Sequence, residues 1–297
     1  ALPSYASPVQ KTYYYLYLFF CGVVFFFLVA PLIAIVPISF SVSPFMVFTD
    51  GMLAWPPDPE AWSLRWYKNM IGDCSADVVS STVPCSNKWM IGTLNSFFIG
   101  IVATVIATSL GTLAALGLSR PHMPFKGIIM AILISPMIVP LIITAAGMFF
   151  FYARINLVYT FTGVILAHVA LATPFVVITV TATLVGFDMN MVKAAQSLGA
   201  RPVKTFFRVI MPLILPGIIS GALFAFITSF DEVVIVMFMA SLDQLTIPKQ
   251  MWAGIRQEIS PVILCMATCL VALSIFLLTT VELLRRRSER LRGIKPR

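Results

Sequence analysis

Asp231 and Glu232 are adjacent carboxylates inside an apolar stretch that runs Phe226-Ile-Thr-Ser-Phe-Asp-Glu-Val-Val-Ile-Val-Met-Phe238. An ionisable side chain at membrane depth costs roughly 2.5–3.5 kcal/mol on insertion scales and normally faces a bundle interior or a watery cavity. Two readings follow. One carboxylate lines a solute route, or one pairs with a polar group on a neighbouring helix and fixes packing. Adjacent helical positions point about 100° apart, so the two acids are expected to differ in role. His168 also lies in an apolar stretch and is expected to bond a neighbouring helix rather than relay protons. Neither it nor His122 has partners for a metal site or a catalytic triad. The phosphate-cradling pattern Gly-x-x-x-x-Gly-Lys-Ser/Thr is absent, so nucleotide hydrolysis and a bound cofactor are not expected in this chain.

A second stretch, Asp188–Pro216, is polar enough to stand out between apolar runs. It reads as two short helices broken at Gly199. Asp188 or Asn190 can cap the first, and Pro202 suits the first turn of the second. Val203, Phe206, Phe207 and Ile210 fall on one apolar face, with Arg201, Lys204 and Arg208 forming a basic stripe on the other side. Such an elbow is either a docking surface or a loop lying on the membrane.

These residues must be positioned by an all-α membrane protein. Of the 297 residues, 59% are hydrophobic and only 11% charged, against about 25% charged in soluble domains. Six segments reach the roughly 20 residues needed to span a bilayer: Tyr13–Phe40, Ile91–Leu118, Lys126–Tyr152, Phe161–Val185, Leu213–Ala240 and Val262–Leu284. The first lacks the basic flank of a cleavable signal and is expected to remain as a helix. Prolines 31, 37, 136 and 140 predict bent, packed helices. With the N-terminus inside, fourteen Lys and Arg fall on the cytoplasmic side and six outside, so both termini and the elbow are expected to be cytoplasmic. The same clustering in loops explains the net charge of +8 without nucleic acid. The chain reads as one membrane domain over 1–297: core 91–284, external loop 41–90, inner loop 186–212 and basic tail 285–297, which meets anionic lipid headgroups.

The external loop holds Trp55-Pro-Pro-Asp-Pro59 and a short helix candidate within Ser63–Ile71, whose aromatics are suited to the membrane interface, with a partner protein as the alternative. Cys74 and Cys85 lie in the same loop and could bridge in an oxidising compartment; two free thiols is the alternative. Cys21, Cys265 and Cys269 lie in apolar runs and are expected to pack inertly.

At Lys193–Pro212 the chain resembles the inner-membrane permeases of binding-protein-dependent ABC importers. Their cytoplasmic loop reads Glu-Ala-Ala, three residues, Gly, nine residues, Ile-x-Leu-Pro. Here Ala194-Ala195 is followed after three residues by Gly199 and after nine by Val209-Ile-Met-Pro212. The resemblance covers about Ile91–Leu284 and implies a MetI-like fold whose elbow inserts into a separate ATPase subunit through Lys193, Ala194, Ala195, Gly199, Ala200, Arg201 and Pro202. Lys193 departs from the usual Glu and cannot complete a capping box with Asn190. The resemblance further implies an ATPase dimer that holds ATP and magnesium, a second permease subunit forming a heterodimer, and a soluble external binding protein. It also implies the bacterial inner membrane. Ser229-Phe-Asp-Glu-Val-Val-Ile235, Leu245-Thr-Ile-Pro-Lys-Gln-Met-Trp252 and Ile259-Ser-Pro261 look like the spermidine/putrescine branch. Small cationic polyamines would suit Asp231 and Glu232 lining a route. The competing class is an ion-gradient-driven secondary transporter or channel using the same acids, which leaves the spacing of the elbow unexplained.

Overall fold

The computed structural model describes residues 7–73, 87–120, 122–188, 190–257 and 260–291. Cys74 and Cys85 lie outside them. The described chain is all-α, with a single isolated bridge between Ser41 and Trp62. It divides into two compact units, 1–87 with 254–297, and 88–253.

In the first unit, α1 (Pro8–Ile38) opens with a reciprocal cap. Gln10 N–H donates to Ser7 Oγ at 3.3 Å and Ser7 N–H to Gln10 Oε1 at 3.0 Å, with Pro8 in the first turn. α1 buries none of its own residues, a surface suited to lipid. The loop after α1 carries α2 (Asp50–Leu53) and α3 (Arg65–Met70). Trp66, fully buried, donates its indole N–H to the Ser41 carbonyl at 2.9 Å. Tyr67 meets Ser39 Oγ at 2.7 Å, and the thiol of Cys265 on α13 (Val262–Leu291) donates to the Ser39 carbonyl at 3.3 Å.

The second unit is built on three packed helices, α4 (Lys88–Leu118), α7 (Phe161–Val185) and α10 (Met211–Phe230). Small residues bring them together. A Cβ on Gly217 or Gly221 of α10 would collide with the Thr183 or Thr179 hydroxyl of α7, so Gly-x-x-x-Gly is what allows this crossing. The hydroxyls of Thr173, Thr179 and Thr183 bond carbonyls one turn back along α7, which keeps them from needing partners across the interface.

Between α4 and α7 the expected single span Lys126–Tyr152 is two helices, α5 (Lys126–Ile138) and α6 (Leu141–Arg154), bent by 103°. Pro140 cannot donate to the helix ladder, and it holds Val139 in extended backbone at ψ 137. Among the described residues four helices are long and apolar enough to cross a membrane, or five if this bent pair counts as one. The segment expected as the sixth lies in α13, whose described apolar stretch, Val262–Phe276, is shorter.

The elbow differs from two separate short helices. α8 (Asn190–Ser197) stands alone, but α9 (Pro202–Thr205) runs through a π-helical turn at Phe206–Ile210 straight into α10. Pro212 explains the turn: it has no N–H for the Arg208 carbonyl and its ring crowds that group. The Met211 N–H reaches instead to Phe206 O, five residues back. The fifth apolar segment is also interrupted. α10 ends at Phe230, Asp231–Val233 is not helical, and the chain resumes as α11 (Val234–Met239) and then α12 (Ile247–Gln257).

Candidate functional site

The elbow is shaped by its own backbone bonds. The Asp188 carboxylate accepts from Asn190 N–H at 2.9 Å and its carbonyl from Met191 N–H at 3.2 Å, so Asp188, not Asn190, holds the start of α8. At the other end Gly199 has φ +79. Its N–H donates to Gln196 O at 2.9 Å and the next N–H, of Ala200, to Ala195 O at 3.0 Å. This is the paired 6→1 and 5→2 closure of a helix C-terminus. The spacing Ala195-x-x-x-Gly199 is therefore the distance from the last-turn acceptor to the one left-handed position. Pro202 then starts α9.

The closure leaves large apolar side chains in the open. Leu198 is 89% exposed, Val203 69% and Phe207 58%. Lys193, Ala194, Arg201 and Pro202 are exposed beside them, while Ala195 and Ala200 are half-buried. The expected apolar face is thus split: Phe206 and Ile210 are partly covered, and Val203 and Phe207 are not.

The expected helical offset of about 100° between the two acids does not arise, because a helix break falls at Asp231–Val233; the acids differ in burial. Asp231 ends α10, its N–H donating to Ile227 O at 3.0 Å, and its side chain is exposed. Glu232 is 7% exposed, and its Oε1 accepts from Ile235 N–H at 2.8 Å at the start of α11. Sequence reasoning missed Lys249. Its Nζ donates to the carbonyls of Ala240 at 2.9 Å and Val236 at 3.3 Å, at the end of the same helix. Burial lowers its pKa from the ordinary value, a desolvation cost that the two carbonyls offset. Asn95 and Ser96 of α4 went unremarked too. Asn95 Nδ2 donates to Asp243 O and Leu245 O at 2.8 and 2.9 Å, and Ser96 Oγ accepts from Ile247 N–H at 2.8 Å. Adjacent amide and hydroxyl side chains near the start of an apolar helix were the available signal.

Residues 107–290 match the family described as binding-protein-dependent transport system inner membrane component. The chain belongs to this family. It is therefore an inner-membrane transport subunit, in keeping with its long apolar helices. Over 271 residues it is 27% identical to the spermidine/putrescine transport system permease protein PotC of Haemophilus influenzae, covering 91% of this chain and 96% of that protein. It is 30% identical over 252 residues to the putrescine transport system permease protein PotI of Escherichia coli K12, covering 82% and 81%. A chain from the crystal structure of a bacterial ABC transporter that imports the acidic polysaccharide alginate shares the fold, with TM-score 0.72, 13% identity, and 94% and 99% of the two chains covered.

Proposed function

We propose that this permease is one half of an ATP-driven importer of polyamines or similar small cations, coupled to its ATPase through the elbow. The observation that carries the coupling is the exposed cluster Leu198, Val203 and Phe207 around the Gly199 closure. Exposed apolar groups rimmed by Lys193, Arg201 and Lys204 are what a protein cleft takes up. ATP and magnesium sit on that ATPase, a second permease subunit supplies the other half of the route, and a binding protein delivers solute from outside. In this reading the chain crosses the membrane six times, with the elbow and both termini in the cytoplasm.

The cationic solute is supported by the names of the relatives and by the surroundings of Asp231. Its carboxylate stands at the negative end of α10. Phe230 packs against Phe97 and Phe226, with ring centroids 5.2 and 5.3 Å apart. A carboxylate next in sequence to an aromatic cluster suits an alkylammonium ion. Of the two acids, Asp231 is the one assigned to the route.

The test is uptake of radiolabelled putrescine and spermidine by vesicles holding the complete complex, with the binding protein outside. Uptake should require both ATP and the binding protein. Uptake that persists without ATP and collapses with the proton gradient would overturn the proposal.

A further inference from the structure

The break after α10 is held by two side chains, Glu232 and Lys249, at opposite ends of α11. α11 is only six residues long, far too short to be stable by its own ladder. Ile235, Val236 and Met239 are fully buried, so its terminal N–H and C=O groups cannot all turn to water and need partners. At the N-terminal end the Glu232 carboxylate takes the Ile235 N–H. At the C-terminal end the Lys249 ammonium takes the carbonyls of Val236 and Ala240, and the Tyr159 N–H takes that of Met239 at 2.9 Å. A carboxyl oxygen thus accepts at the start, and at the end a cation lies on the favourable side of the helix dipole. Lys249 is itself anchored, because Asn95 and Ser96 of α4 fix the loop that leads into α12.

We infer that Glu232 and Lys249 are a pair of positioning residues. They clamp α11 from its two ends, keep Asp231–Val233 out of helix, and so hold the Asp231 carboxylate exposed. Neither touches solute. Their effect on import acts through Asp231, and that part rests on the import reading above; the clamp itself does not.

The experiment uses the assembled complex in lipid nanodiscs for amide hydrogen exchange, and in vesicles for ATP hydrolysis and putrescine uptake. Glu232→Ala and Lys249→Met should each speed exchange of the α11 amides by about tenfold, the scale of a lost cap or charged hydrogen bond. Uptake should fall by a similar factor while the complex stays assembled and continues to hydrolyse ATP. Glu232→Gln keeps an acceptor for Ile235 and should stay within about threefold of wild type, about 0.65 kcal/mol. Lys249→Arg should recover most of what Lys249→Met loses. The double variant Glu232→Ala/Lys249→Met should be no worse than the more damaged single one, because a helix released at one end has little left to lose. Unchanged α11 exchange in both single variants would overturn the clamp. So would Glu232→Gln failing as badly as Glu232→Ala, which would show that charge rather than capping matters. If exchange changes as expected but the wild-type complex moves no putrescine, the clamp stands and the solute assignment falls.

Discussion

His168 Nδ1 lies 2.7 Å from Ser229 Oγ, joining α7 to α10 at a point where the imidazole is 1% exposed. Its other ring nitrogen, Nε2, has no hydrogen-bond partner among the described residues. The pair works as interhelical glue, the use membrane helices make of such groups. Removing Ser229 strands the ring entirely, whereas removing both partners leaves nothing unsatisfied. Ser229→Ala should therefore lower the thermal midpoint of the purified complex, by the equivalent of about 1–2 kcal/mol. Adding His168→Phe should restore part of that loss. A double variant that melts below Ser229→Ala would count against this account.

The α7–α10 crossing makes a second prediction. Gly217→Val or Gly221→Val would drive methyl groups into Thr183 or Thr179 and the α7 backbone. Overpacking of this kind costs about 1–3 kcal/mol, and more where backbone lies opposite. Both variants should yield less folded complex and a lower midpoint by fluorescence-detected chromatography. Gly147→Ala, at a helical glycine with open space around it, serves as the control and should change little.

Much of this architecture was legible from residue spacing, and the misses share a cause. Hydropathy located the four helices long and apolar enough to span and the bent pair α5–α6, and Gly199, Pro202 and the Ala194-Ala195 pair marked the elbow. Hydropathy does not register a helix break, because Phe230, Val233 and Val234 on either side of Asp231 and Glu232 are as apolar as any span. Pro140 did carry such a signal, through its missing N–H, but not the size of the bend. Lys249 was assigned to the outside by charge counting alone, since its partners are backbone carbonyls that no side-chain pattern announces. The two acids differ in burial, and which one is buried depended on the break.

The elbow yields a third prediction. Phe207→Asp and Leu198→Asp change side chains that are exposed in this chain, so neither should shift the melting of the isolated permease by more than about 0.5 kcal/mol. Each should nonetheless weaken co-purification of the ATPase, since burying an unpaired charge in an interface is costly. Gly199→Val is expected to do the same by another route. A β-branched residue at φ +79 is strained by about 1–2 kcal/mol and should open the closure between α8 and α9. Full ATPase recovery with all three variants would remove the docking role from this surface.

The last prediction concerns charge at Asp231. Because its side chain is exposed and ends a helix, Asp231→Asn removes the negative charge while keeping shape and hydrogen bonding. Folding should be unaffected or slightly improved, as a carboxylate at a helix C-terminus is disfavoured by about 0.3–1 kcal/mol. Transport should respond differently. If the carboxylate meets a cationic solute in the route, uptake of putrescine should fall about tenfold in Asp231→Asn, on the scale of a lost charged contact. Asp231→Glu should retain more of it. ATP hydrolysis and assembly should be unchanged in both. The neighbouring Glu232→Gln should show the reverse sensitivity, tolerating loss of charge because its task is to accept a backbone N–H. Measuring the two substitutions side by side separates a carboxylate that acts on the solute from one that acts on the helix.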